Sequence, residues 1–207
     1  MNLLVETHYL PNIAYFKMIQ QASSFTLEAC ENYQKQSFRN RTLIMTANKV
    51  ETLSIPVLNG NSKLAIRDVQ IDYSQNWVKV HLRGIQSAYG NAPFFEHYFP
   101  YFEQIINEQP KYLFDLNLKL IEKILKLLKI NIDVTLTDDF YPHNSGISPE
   151  FYDIREVIHP KKSLNMNLFT ENISFNIYCQ VFGDTFVENL SIIDLLMNEG
   201  SAAKQYL

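Results

Sequence analysis

The first thirty residues constrain the fold more than any other stretch, because they read as strand, loop, helix, strand. Asn2–Thr7 is a short apolar run closed by a polar residue, the pattern of a buried strand. Pro11 follows at once, and Ile13, Phe16 and Ile19 recur at three-residue steps, which predicts a helix over Asn12–Gln21. Proline is well placed at such a start, since its missing N–H would have no partner there. Phe25–Ala29 then reads as a second strand. Strands joined by a helical crossover pair in parallel, so the chain opens as an α/β unit.

Further along, Thr42–Thr46 and Thr52–Val57 read as strands around a turn at Asn48-Lys49, the second broken by Pro56 and Asn59-Gly60-Asn61-Ser62. Leu64–Ile71 is expected as an edge strand. Asn76–Tyr89 is expected as a helix despite Gly84 in its interior, and Pro93–Asn107 as another, rich in aromatics. Pro110–Lys129 is the clearest element. Asp115, Lys119, Glu122, Lys126 and Lys129 form one charged stripe with two i,i+4 pairs, and the remaining surface is apolar. That is a helix packed on a sheet. Ile132–Leu136 and Ile173–Val181 read as strands, and Asp138–Lys162 as a long loop. Ser191–Asn198 reads as a helix stopped by Gly200, with Ser191 and Asp194 as a capping box. No repeat or flexible linker appears. The expected fold is a single α/β domain over residues 1–207, with a mixed, mostly parallel sheet flanked by helices.

Charge narrows the functional classes. The formal net charge is −4, with Lys161-Lys162 and the lysines of the central helix as the only local basic groups, so nucleic acid is not an expected partner. No stretch approaches the ~20 apolar residues of a spanning helix, so no membrane insertion is expected. Residues 1–6 lack the positive region of a secretion signal, and the expected compartment is the cytoplasm. Cys30 and Cys179 read as reduced core residues.

Glu31–Arg41 has almost no apolar residue and no periodic face, and it lies between two strands. It is expected to be a working surface outside the packing core. Lys35, Arg39 and Arg41 suit phosphate or carboxylate, and Asn32, Gln36 and Asn40 add neutral donors and acceptors. Tyr33 bounds the same pocket. A solvated loop with scattered charges is the bland alternative. His8, Tyr9 and Pro11 lie in the turn after the first strand, beside a helix N-terminus that would attract an anion. His8 is a candidate acid or base, against the alternative of a hydrogen-bonded core histidine. Trp77, His81 and Tyr89 recur at helical intervals as a pocket wall or a packed aromatic seam, with His81 a second acid/base candidate. Tyr178, Gln180, Ser191 and Asp194 form a late polar cluster. No phosphate-cradling glycine loop occurs, and neither Cys30 and Cys179 nor His143 and His159 have zinc spacing. No metal is expected. The cofactor is left open.

These stretches resemble the WbqC-like protein family. The resemblance is carried by Tyr9-Leu10-Pro11 with Tyr15-Phe16, by Glu31–Arg41, by Leu53–Val57, and by Trp77, His81 and Tyr89–Phe95. Tyr178–Phe182 and Asn189–Gly200 complete it, in order along nearly the whole chain. It is similar to a shorter form of the family: Thr7-His8 stands where many relatives have glutamine and proline, and Ile154–Lys161 replaces a glycine-rich segment. The resemblance implies surface-polysaccharide or O-antigen synthesis, with transfer of glycine or another acyl group onto a sugar. The implied partner is an activated sugar or acyl donor. Arg39→Ala is then expected to weaken binding and leave the melting temperature near wild type. A nucleotidyltransferase-like enzyme and a non-catalytic module of a glycan-synthesis complex are the competing readings.

Overall fold

The computed structural model describes residues 2–60, 63–142, 151–160, 173–183 and 185–207. Strand β1 (Asn2–Glu6) is buried along four of its five residues, as the centre of a parallel sheet covered on both faces requires. Helix α1 (Ile13–Ile19) carries it over to β2 (Ser24–Glu28), which pairs with β1 in parallel register, Leu3 opposite Phe25. The hairpin β3 (Arg41–Met45) and β4 (Val50–Ser54) forms a separate two-stranded antiparallel sheet. Helices α2 (Trp77–Tyr89), α3 (Phe95–Asn107) and α4 (Leu113–Leu127) follow. Beyond them lie β5 (Asp133–Leu136), β6 (Phe151–Asp153) and α5 (Ile192–Glu199), the last running into a 3-10 turn at Gly200–Tyr206.

All four strands of the main sheet are parallel, in the order β5-β2-β1-β6. In chain order that is third, second, first, fourth. The winding reverses between β1 and β6, and in open α/β sheets the crevice at that reversal, at the carboxyl ends of the strands, is where ligands sit. Helix α4 buries Leu116, Leu120, Ile121 and Ile124 in the core, as its apolar surface demands. Its Lys119 pairs across to Glu108 at 2.6 Å.

Several expectations need correction. Ile66–Asp68 is a single 3-10 turn in place of the edge strand expected over Leu64–Ile71. Ile173–Val181 carries no strand; the fourth parallel strand is β6, inside the stretch expected to be loop. Three residues beside β1 suffice there, because β6 is short and set by pairing, not by an apolar pattern. Cys179 is exposed and Cys30 half-buried, so neither is a core residue; both are free thiols. Ser191 does not cap α5 with its side chain. Its hydroxyl donates instead to the Leu10 carbonyl at 2.9 Å. Gly200 ends α5 as expected, at φ +58, and a β-carbon there would lie 2.6 Å from the Phe94 ring. Asn61-Ser62, Lys161-Lys162 and His143 lie outside the described residues, as does part of the Asp138–Lys162 loop.

Candidate functional site

At the carboxyl ends of the strands, polar side chains are buried at high density. Glu6, the last residue of β1, accepts the Glu156 amide at 2.9 Å, and the Tyr15 hydroxyl donates to its carbonyl at 2.9 Å. His8 is 1% exposed and lies against the Tyr15 and Phe38 rings. Its Nε2 is 3.3 Å from Glu6 Oε1, without the alignment of a hydrogen bond, and its Nδ1 has no partner. The neighbouring Thr7 hydroxyl is also buried without a partner. Burial alone would raise the Glu6 carboxyl. The adjacent His8 and then the Arg39 guanidinium outweigh it, and hold Glu6 at about 2.

Arg39 is 1% exposed, and its fork donates two 2.7 Å bonds to Glu31. Burial pushes the guanidinium down, but Glu31 and then Glu6 more than restore it, so Arg39 stays charged. Asn117 of α4 donates to the Arg39 carbonyl at 2.7 Å. The segment expected as a working surface is therefore half core: Glu31, Tyr33, Ser37, Phe38, Arg39 and Asn40 are buried, while Asn32, Lys35 and Gln36 are exposed. The internal Glu31–Arg39 pair explains this, because it lets a charge-rich loop go inside. It also changes what Arg39→Ala should do, since that variant strands Glu31. A second guanidinium, Arg155, bridges Asp153 and Glu28. Among the described residues, Glu28 takes four donors, from Cys30, Thr137, Tyr141 and Arg155. Glu28 and Arg155 were not foreseen as site residues. Glu28 sits three residues before the polar stretch, and its position at a strand end was the available signal.

The expected anion site at the start of α1 is not open. Ile13 N donates to the Leu190 carbonyl, Ala14 N to Asn189 Oδ1 and Tyr15 N to Asn12 Oδ1. The amides that would hold an anion are satisfied within the chain. Pro11 contributes its carbonyl to the Ile192 amide.

On the other side of Tyr9 lies an open groove of about 580 Å³, between the β4 segment Glu51–Val57 and the start of α2. Asn40, Trp77 and His81 line it with Gln75, Asn76 and Val80. Trp77 and His81 pack edge to face at 5.0 Å. Both His81 nitrogens are engaged. The Ser54 carbonyl at 3.2 Å only accepts, so Nε2 carries the proton, and Nδ1 accepts from the Tyr9 hydroxyl at 2.9 Å. Burial lowers His81 to about 4, so it is neutral at physiological pH. Two groups on the wall are buried without partners, Trp77 Nε1 and Asn40 Oδ1; the other end of the Asn40 amide donates to Ile55. Arg41 is half-buried at the start of β3, with its Nε unpartnered.

Tyr89 shares the buried face of α2 but does not reach the groove. It lies with the third group, where Tyr178 donates to Asp194 Oδ2 at 2.5 Å and Gln180 Nε2 donates to it at 3.2 Å. Burial first, and then the Asp194 charge, push the Tyr89 hydroxyl well above its ordinary range. The structure thus divides the expected residues into three groups. His8, Tyr33 and Arg39 belong to the sheet end, Asn40, Trp77 and His81 to the groove, and Tyr89, Tyr178, Gln180 and Asp194 to the base of α5. Tyr9 links the first two.

Comparison with known proteins agrees with the resemblance seen in the sequence. The WbqC-like protein family matches residues 7–168 and 155–206, most of the chain. An uncharacterized protein of Mycobacterium tuberculosis is 27% identical over 225 aligned positions, covering 99% of this chain and 96% of that protein. No solved structure matches. The chain belongs to the WbqC-like protein family.

Proposed function

From that membership, we propose that the protein is a transferase of surface-polysaccharide synthesis, placing an acyl group such as glycyl on an activated sugar. The groove beside Trp77 is the sugar surface and His8 the acid/base. The observation that carries this reading is a pair of unpartnered polar atoms within two residues that line the groove. Trp77 Nε1 is a donor and Asn40 Oδ1 an acceptor, each buried without a partner. Leaving such a group unpaired costs ~1–3 kcal/mol, and a sugar hydroxyl, which both donates and accepts, satisfies either. His81, with both nitrogens committed, is a positioning residue that fixes the Tyr9 hydroxyl. Proton transfer falls to His8, next along the chain from Tyr9, whose Nδ1 has no partner and whose Nε2 lies 3.3 Å from Glu6.

The test is Trp77→Phe, which removes the indole N–H and keeps an aromatic ring. Affinity for glucose or a nucleotide-linked hexose, followed by ligand-observed NMR, is expected to fall about tenfold, the worth of one hydrogen bond. The melting temperature should stay near wild type. Unchanged affinity would refute the reading. The nucleotidyltransferase-like alternative has the strand order in its favour. The occupied amides at the start of α1 count against it, because they are the donors a triphosphate would need.

A further inference from the structure

Among the described residues, strand β4 has one sheet neighbour, β3, so its second edge is open. The register fixes which main-chain groups lie on that edge. The Ile55 N–H donates to the Asn40 carbonyl at 2.8 Å, and at the turn the Thr46 N–H donates to the Lys49 carbonyl at 3.0 Å. Opposed residues of an antiparallel pair alternate between bonded and non-bonded positions. Thr42–Leu53 and Ile44–Glu51 therefore exchange the ladder bonds, and Val50, Thr52 and Ser54 turn their N–H and C=O groups to the open side. The Ser54 carbonyl accepts from His81 Nε2 at 3.2 Å, so the open side faces α2. Among the described residues, nothing bonds the Thr52 N–H, the Thr52 carbonyl or the Ser54 N–H.

The groove of about 580 Å³ runs along this edge, lined by every residue from Glu51 to Val57 in succession. Successive side chains of a strand point to opposite faces, so an unbroken run of lining residues makes the main chain itself part of the wall. The edge has a direction. It starts in solvent at Val50, 38% exposed, and stops at Pro56, which has no N–H and whose carbonyl accepts the Asp72 amide. That closed end lies beside Trp77 and His81. Glu51 is the one charged side chain among the described lining residues, since His81 is neutral. A phosphate or carboxylate would find no cation there, whereas a neutral extended chain bearing amides matches a strand edge group for group. We infer that the β4 edge seats the arm of the acyl donor, a pantetheine thioester laid along Thr52 and Ser54 as a third strand, with its acyl end at the sugar surface. The inference rests on the transferase reading and adds the chemical class of the donor. In the transfer, a sugar hydroxyl oxygen bonds the thioester carbon, the C–S bond breaks, and the hydroxyl proton ends on the departing sulfur.

The experiment titrates the full chain with pantetheine, coenzyme A, glucose and a capped trivaline peptide, read by calorimetry and by backbone amide resonances. Pantetheine and coenzyme A are expected to bind and to shift the Thr52 and Ser54 amides most. Both outcomes of their comparison support the inference: tighter coenzyme A names the free cofactor as the source, and equal or weaker coenzyme A names an arm borne by a carrier protein. Thr52→Pro removes an outward N–H at a place where an edge strand tolerates proline. It should weaken pantetheine by about tenfold, the worth of one hydrogen bond. Thr52→Ala keeps that N–H and should bind pantetheine as the wild type does. Equal loss in both variants, or no loss in Thr52→Pro, overturns the inference. If Thr52→Pro does not fold, the wild-type titration decides, and unmoved Thr52 and Ser54 amides overturn it. Tighter binding of the trivaline peptide than of pantetheine also overturns it, and marks the edge as a seat for a protein strand. If glucose binds but neither pantetheine nor coenzyme A does, the inference falls and the transferase reading stands. If glucose does not bind either, both fall.

Discussion

The sheet end and the base of α5 bury carboxylates in opposite ways. At the sheet end, Glu31 and Glu28 are matched to guanidiniums, and Glu6 is held ionised by His8 and Arg39. At α5, the partners of Asp194 among the described residues are neutral, Tyr178 and Gln180 foremost, and burial raises its carboxyl despite their bonds. The first arrangement stores charge and leaves imidazole and hydroxyl atoms unspent. The second uses a single acid to fasten a helix. Burial alone does not mark a reactive site, since the α5 cluster also holds unpartnered buried atoms, the Tyr89 hydroxyl and Asp194 Oδ1.

The largest expected effect tests the charge matching. Glu31→Ala takes from the buried Arg39 guanidinium its hydrogen-bonded carboxylate and should cost about 3–5 kcal/mol in denaturant unfolding. Asp194→Ala strands only neutral donors and should cost about 1–3 kcal/mol. Equal costs would erase the distinction. Arg39→Ala belongs with Glu31→Ala, so a clear loss of stability is expected in place of a melting temperature near wild type.

Acidification should separate Glu6 from Asp194 by sign. Glu6 is depressed from 4.5 to about 2, so its contribution is complete above 4.5 and lost as pH falls through about 2. That is roughly 3 kcal/mol, removed in Glu6→Gln. Asp194 is raised from 3.8, so the folded state takes its proton first. Stability from that group grows as pH falls toward 3.8, and Asp194→Asn should abolish the growth. Stability measured against pH in both variants checks this, and slopes of the same sign would contradict it. The smallest effect lies outside both regions: Lys119→Ala, breaking the exposed pair with Glu108, should change stability by no more than about 0.5 kcal/mol.

The sequence made the scaffold legible where periodicity is strong. The β1–α1–β2 opening, the hairpin and α2 through α5 follow from apolar spacing and from punctuation by Pro11, Pro93, Pro110 and Gly200. It did not reveal β6, because three residues carry too little pattern. It misread Glu31–Arg41, since pairing eight residues apart turns a polar loop inward and no local property reports that. The groove was legible in Trp77 and His81 one turn apart. Tyr89 was assigned to it wrongly because helical spacing gives a face but not the distance along it.

Leu10 bears on how the molecule is made. It adopts a left-handed conformation at φ 42, and its carbonyl receives hydroxyls from Thr42 and from Ser191. The turn that positions His8 and Tyr9 is thus completed by a residue 181 positions downstream. During synthesis the opening strand and helix leave the ribosome early. Their strained corner gains its last support only after Ser191 emerges, so chains released before that point would carry the His8 turn unset.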